Sequence, residues 1–392
     1  MTEGLAQLAR EHGRFAIDTE FVSERRYQAL LCLAQVAVAD PSADGGVRTE
    51  VLDPIDASKP FDPGPLAAAL ADPEIEVVVH AGRQDVAILR RTWATEVANV
   101  FDTQIAAGFL GLGSQEGYES LARRVLGVAL RGGEGFTRWD KRPLTERQLA
   151  YAADDARCLL ALGDTLARRL SDAGRLEWAR EECAQVARSD DVRSVERSYR
   201  RLPSVDRLDE RARAAAWRLC EWREQAAHEI DRPPPFLCPD QALAQLARRR
   251  PSDKHGLEQI RGLPQQTLHR REREVLDAIA AAEGDEPPPT GPKPPRSDTV
   301  DAPVVSLAQA LLRHRAREAR VATELVATQA ELTAVVAGAR RGEPPTDARV
   351  LGGWRRELVG DELLALAGGR LALSVQPDEG RLEIRPIGEA LA

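Results

Sequence analysis

Aromatic residues make up only 4% of this 392-residue chain, and Met1 is its sole methionine. Cysteine is sparse too. The five cysteines, Cys32, Cys158, Cys183, Cys220 and Cys238, include no Cys-x-x-Cys pair, which excludes a disulfide framework and a thiolate zinc site and reads as reduced core thiols. No segment approaches the roughly 18 uninterrupted apolar residues of a membrane span. The opening Met1-Thr-Glu-Gly-Leu5 lacks the basic start and apolar core of a secretory leader. The expectation is a soluble, cytoplasmic protein with no membrane partner. No Gly-x-x-x-x-Gly-Lys-Ser/Thr loop is present, so a nucleoside triphosphate is not an expected ligand.

What the chain does have is charge and helix-forming residues. Charged residues amount to 30%, with a net charge of -8 and a pI near 5.5. An acidic balance argues against a polyanionic partner only globally, because phosphate contacts depend on local clusters. Arg248-Arg249-Arg250, Arg270-Arg271 and the arginines from Arg313 to Arg320 are such clusters, or solvated helix faces. Richness in Ala, Leu and Arg favours helix over a large sheet sandwich.

Between residues 13 and 130, short apolar runs alternate with stretches of helical spacing. Arg14 to Phe21, Leu30 to Ala39, Val47 to Leu52, Ile75 to His80 and Val97 to Phe101 read as strands. Gly64 to Leu70, Gln84 to Trp93, Thr103 to Gly111 and Tyr118 to Leu126 read as helices, giving an α/β layer architecture. Thr145 and Gln148 stand at capping-box spacing ahead of a long helix reaching about Leu170. Beyond about residue 205 the strand signal disappears. Helices over Leu208 to His228 and Pro239 to Arg250, then two shorter ones, predict a helical bundle up to about Ala282. The Pro-rich run from Glu283 to Arg296 predicts an extended linker. Leu307 to Gly338 and Asp361 to Ala367 read as helical again, followed by a hairpin of Arg370 to Val375 and Leu382 to Pro386. Trp222-Arg223 and Trp354-Arg355 loosely echo each other. The expected division is 1–190, 205–282, a linker at 283–302, and 303–392.

Three acidic elements carry the chemistry. In Phe15-Ala-Ile-Asp-Thr-Glu-Phe21, strand alternation puts Asp18 and Glu20 on one face, with Ile17 and Thr19 on the other. Side-by-side carboxylates repel unless a cation lies between them, and an all-oxygen donor set suits magnesium or manganese better than zinc. In Val77-Val-Val-His80-Ala-Gly-Arg-Gln-Asp85 a strand runs into a helix whose first turn holds Asp85, where the helix N-terminus favours an acid with or without a metal. Tyr151 and Asp155, four residues apart on a helix, address one point in space; Asp154 is assigned to solvent or a helix partner. Hydrolysis assisted by two ions needs such carboxylates and a group that orients water. Tyrosine is a poor base at neutral pH, so Tyr151 would position the water.

With these three motifs in order, the chain resembles the DEDD exonucleases of the tyrosine subtype and, within them, the ribonuclease D family. Flanking text agrees: Leu31-Cys-Leu-Ala-Gln35, Phe101-Asp-Thr-Gln104 and Trp139-Asp-Lys-Arg-Pro-Leu144. The resemblance covers about residues 10 to 170. It implies an α/β plus all-α protein: an RNase H-like 3′–5′ exonuclease domain, a mixed sheet flanked by helices, followed by helical HRDC modules. Residues 205 to 282 look like the first such module and 303 to 385 like a second, more divergent one. Carried over by position, it implies two divalent cations, Mg2+ or Mn2+. Asp18, Glu20 and Asp155 would hold the nucleophile-side ion, Asp18 bridging to a second that Asp85 supports, and Tyr151 would orient the water. Asp102 is read as structural, and Trp139 and Arg142 either as loop anchors or as substrate contacts. Arg138 and Ala29 depart from the family pattern, which has an acidic residue and a proline there.

The expected function is therefore a metal-dependent 3′–5′ exoribonuclease releasing nucleoside 5′-monophosphates. Transfer RNA precursors or other structured RNA with a 3′ extension are the implied substrates. Two rivals stand beside it: a DNA 3′–5′ exonuclease of repair, and a nucleic-acid-binding platform that has lost catalysis.

Overall fold

A computed structural model describes residues 1–130, 137–288, 301–376 and 382–387. The chain opens with α1 (Thr2–His12), which buries Leu5, Ala6 and Ala9, and then lays down three antiparallel strands: β1 (Arg14–Val22), β2 (Leu30–Ala39) and β3 (Val47–Leu52). α2 (Gly64–Ala71) crosses to β4 (Glu76–Val79), and α3 (Arg83–Thr92) to β5 (Val100–Asp102). The sheet order is β3-β2-β1-β4-β5, with β1, β4 and β5 parallel, so it is mixed, as the family resemblance implies. β2 is buried along almost its whole length, which suits its near-continuous apolar run to a strand covered on both faces. The expected strand from Val97 is shorter, because its first residues lead into β5 through a loop.

Helices α4 (Thr103–Phe109), α5 (Tyr118–Leu126), α6 (Glu146–Asp172) and α7 (Leu176–Ala187) complete this layer. α6 starts at a reciprocal capping box between Thr145 and Gln148 and runs 27 residues, about 40 Å at 1.5 Å per residue. It lies across β1 to β4. The approach is close at Gly163, where a Cβ would come within 2.6 Å of the Val78 side chain.

α8 (Val195–Arg200), α9 (Glu210–Glu229), α10 (Pro234–Leu237), α11 (Asp240–Arg249), α12 (Lys254–Glu258), α13 (Gln265–Arg270) and α14 (Glu272–Ala281) form a bundle with its own core, from Tyr199 and Leu202 to Ile279 and Ala282. Much of the expected linker, residues 289–300, lies outside the described residues. α15 (Ala302–Glu318), α16 (Thr323–Val326), α17 (Gln329–Arg340), α18 (Gly353–Arg355) and α19 (Asp361–Ala367) follow, and β6 (Leu371–Val375) pairs antiparallel with β7 (Leu382–Pro386). The helix expected over Leu307 to Gly338 is interrupted. Arg320 turns into the left-handed region at φ 50°, and the Ala322 N–H donates to the carbonyl of Gly108 at 2.8 Å, before a Thr328–Glu331 capping box restarts the helix.

The C-terminal helices share one apolar core with α4, α6 and α7. Trp354 sits against Phe109, with ring centroids 4.8 Å apart, and stacks on Trp178 at 5.6 Å. Buried Arg355 pairs with buried Glu182 and donates to the Leu325 carbonyl. Arg223 behaves alike within the first bundle: it is buried and donates to the Cys238 carbonyl and to Asp240. Both arginines of the Trp-Arg pairs are thus buried and engaged.

Candidate active site

The site lies where the parallel strands end. Asp18 and Glu20 project from the sheet face that α6 covers, in line with buried Ala16. A register irregularity after Glu20 ends regular pairing with β2. Thr19 points to the other face, and its hydroxyl donates to the carboxylate of Asp85 in the first turn of α3. Residues from both faces therefore meet at the strand edge.

Asp85 owes its place to a tight turn after β4. Ala81 is left-handed at φ 50°, a conformation that costs most non-glycine residues energy. At Gly82 a Cβ would come within 2.5 Å of the Val79 side chain. Buried Asp102 holds that turn by accepting from the N–H groups of Ala81 at 3.1 Å and Gly82 at 2.9 Å, while capping α4 through Gln104 N–H at 2.9 Å. The structural reading of Asp102 stands.

From α6, the Tyr151 hydroxyl favours the charged form of Asp155, and the Tyr118 hydroxyl donates to the Asp155 backbone carbonyl. Asp18, Glu20, Asp85, Tyr151 and Asp155 line one cleft of about 250 Å³, together with His80 and Tyr118. Sequence reasoning gave Thr19, His80 and Tyr118 no role. His80 was visible within the second motif, but only the folded chain brings it against Tyr118, with centroids 5.3 Å apart.

Burial, and behind it mutual repulsion, shapes the electrostatics. Asp18 is pushed well above the usual carboxylate range by burial, then by the charges of Asp85 and Asp155. Glu20 is raised to about 9 by burial and by Asp18, Asp155 and Asp85. Burial raises Asp155 to about 7 against the opposing bond from Tyr151, and Asp85 to about 6 against the bond from Thr19. Tyr151 is itself raised, by burial and then by Asp155, so it is no base at neutral pH. Among the described residues, no three ligand-type side chains converge to coordinating distance. Asp85 accepts instead from the hydroxyl of Thr19. A set of oxygen donors that hold protons this tightly is short of positive charge, which fits a hard divalent cation.

The remaining expectations resolve locally. Asp154 pairs with Arg157 at 3.7 Å along the helix. Trp139 is buried with Cys32, Leu33 and Ala152, and Arg142 grips Asp53 and the carbonyls of Trp139 and Cys32, so both anchor their loop. Several cluster arginines are engaged within the protein: Arg250 with Asp209, Arg271 with Glu229 and Glu274, and Arg315 with Glu362. A larger cavity of about 380 Å³ opens beside Trp178. Its Arg315 and Arg356 are paired with Glu362 and Asp361, and Glu318 and Glu357 make the lining acidic overall. No described helix is long and apolar enough to cross a membrane.

The first helical bundle clasps the loop that follows Glu20. Tyr27 donates its backbone N–H to Asp231 and its hydroxyl to Glu224, both at 3.0 Å, and its ring meets His228 edge-on at 5.2 Å. Arg193 donates to the Tyr27 carbonyl at 2.7 Å.

Residues 2–171 match the family described as 3′-5′ exonuclease, and residues 213–279 match the HRDC domain. The chain is 33% identical to Ribonuclease D of Acidiphilium cryptum over 370 residues, covering 92% of this chain and 89% of that one. It is 34% identical to Ribonuclease D of Gluconacetobacter diazotrophicus over 388 residues, covering 95% and 92%. Among solved structures it is similar to Escherichia coli RNase D, titled an exoribonuclease involved in structured RNA processing. That match has a TM-score of 0.79 and 27% identity, covering 94% of this chain and 96% of that one.

Proposed function

The chain belongs to the ribonuclease D family of 3′–5′ exoribonucleases, and on that premise we propose that the cleft between β1, α3 and α6 removes nucleotides from RNA 3′ ends as nucleoside 5′-monophosphates. The observation that carries this reading is the meeting of Asp18, Glu20, Asp85, Tyr151 and Asp155 in one cleft from three separate elements. Asp18, Glu20 and Asp155 would hold one divalent cation and Asp18 and Asp85 a second, Mg2+ or Mn2+. When bound, such ions activate water and stabilise the leaving oxygen. Tyr151, which keeps its proton, orients the attacking water rather than deprotonating it. The Tyr118 bond to the backbone of α6 keeps Asp155 at its station.

Transfer RNA precursors or other structured RNA with a 3′ extension are the substrates we propose, with no nucleoside triphosphate required. A single-stranded end would enter the cleft while the helical modules grip the folded body. The clasp on Tyr27 supports this, because it ties the first module to the loop next to Glu20. We divide the chain into the nuclease (1–190), an HRDC module (205–282), a linker (283–302) and a second HRDC-like module (303–392). The matching burial of Arg223 and Arg355 supports the second module. Five free thiols support a cytoplasmic location.

Asp155→Ala tests the assignment. Hydrolysis should fall below detection while RNA binding, followed by fluorescence anisotropy in chelator, stays within about twofold; unchanged turnover would refute the site.

A further inference from the structure

Gln35 on β2 is fully buried, and among the described residues neither its amide nitrogen nor its amide oxygen has a hydrogen-bond partner. A primary amide left so in a protein interior is destabilising, and native structures keep few of them. Its position is specific. Gln35 stands directly opposite Asp18 in the β1–β2 register. Opposed residues of antiparallel strands share a face, with Cβ atoms about 4.5–5.5 Å apart.

Within the sheet, beneath the covering α6, the surroundings narrow the choice of partner. Leu33 and Ala37 flank Gln35 along β2 on that face, Val51 stands opposite it on β3, and Ala16 lies diagonally on β1. None of these side chains donates or accepts. Glu20, the other diagonal residue on β1, faces Leu33. Thr49, diagonal on β3, has a hydroxyl that is also without a partner. Asp18 takes one backbone N–H, from Thr19, so its carboxylate has lone pairs to spare.

We propose that Gln35 is a positioning residue of the site, whose amide N–H donates to the Asp18 carboxylate when that carboxylate holds a cation. The inference rests on the cation reading given above. Carboxylates that ligate metals are commonly oriented by an outer hydrogen-bond donor, and losing it typically weakens metal binding about 10–100-fold. An amide suits the place chemically. Lysine or arginine would compete with the cation for Asp18, and a further acid would add to the repulsion among four carboxylates.

The test is Gln35→Met in the full chain, which keeps the approximate volume and removes the polar atoms. Metal-free Tm is read by calorimetry, Mn2+ affinity by titration without RNA, and kcat and KM on a short RNA. The expected result is a metal-free Tm equal to or above that of the natural protein, Mn2+ affinity lowered about tenfold or more, and kcat lowered with KM for RNA unchanged. Gln35→Leu, of similar volume and also without polar atoms, should lower Mn2+ affinity to the same extent and serves if the Met variant does not fold. Natural Mn2+ affinity in these variants, whatever their Tm, would overturn the assignment of Gln35 alone. Absence of Mn2+ binding by the natural protein would overturn the cation reading and this inference with it.

Discussion

The hydroxyl of Thr19 donates to the carboxylate of Asp85, joining the strand that carries two acidic groups to the helix that carries a third. The bond crosses the strand edge where the two faces of the sheet meet. It opposes the effect of burial on Asp85, which otherwise pushes that group up. Thr19→Val removes the donor and leaves the shape. We predict a stability loss of about 1–3 kcal/mol in denaturant unfolding, the cost of an unsatisfied buried acceptor. The acid limb of the pH–rate profile should also move upward. A profile identical to that of the natural protein would show that Asp85 does not depend on Thr19.

The raised carboxylates make a prediction for the metal-free protein. Folded Glu20 holds its proton to about pH 9, Asp155 to about 7 and Asp85 to about 6, against ordinary values of 4.5, 3.8 and 3.8. The folded chain therefore binds more protons than the unfolded chain across that window, so its stability falls as pH rises. Melting temperatures in chelator should drop steadily between pH 5 and 9. A divalent cation should raise them most at the alkaline end and release protons as it binds. A flat chelator profile, with no proton release on Mn2+ addition, would contradict the electrostatic account.

Tyr151→Phe separates orienting water from holding charge. We predict kcat lowered about 100-fold, the lower range for loss of a positioned proton-handling group, with KM for RNA and Mn2+ affinity near natural values. An intact kcat would remove Tyr151 from the reaction.

The ion pair of Arg355 with Glu182 fastens the C-terminal helices to the nuclease layer. Arg349 lies 3.9 Å from the same carboxylate and can offset part of its loss. Arg355→Met should cost about 3 kcal/mol, toward the lower end for breaking a buried pair from one side. Turnover per folded molecule on short RNA should persist. A stability change below 1 kcal/mol would mean that apolar packing around Trp354 holds the module without the pair.

Much of the site was legible in the sequence because its chemistry sits in short, local patterns. Strand alternation around Asp18 and Glu20, the four-residue step from Tyr151 to Asp155, and the Thr145–Gln148 capping box each needed only neighbouring residues. Contacts at long sequence separation were not legible. Nothing near Thr19 foretells its bond to Asp85, 66 residues away, and nothing near Gln35 foretells an unpaired amide beside Asp18. The same limit hid the break at Arg320, which forms because Ala322 docks on Gly108, and the merging of the C-terminal helices into the nuclease core. The helix α1 was missed although its Leu5, Ala6 and Ala9 are spaced for one buried face.

The central claim is most directly tested by a time course on 5′-labelled RNA and DNA oligomers of one sequence, with Mg2+, with Mn2+ and with chelator, resolved at single-nucleotide steps. A metal-dependent ladder shortening from the 3′ end of RNA, and much more slowly on DNA, is the predicted result. Faster digestion of DNA would contradict the RNA assignment, and no ladder with either metal would contradict catalysis by this cleft altogether.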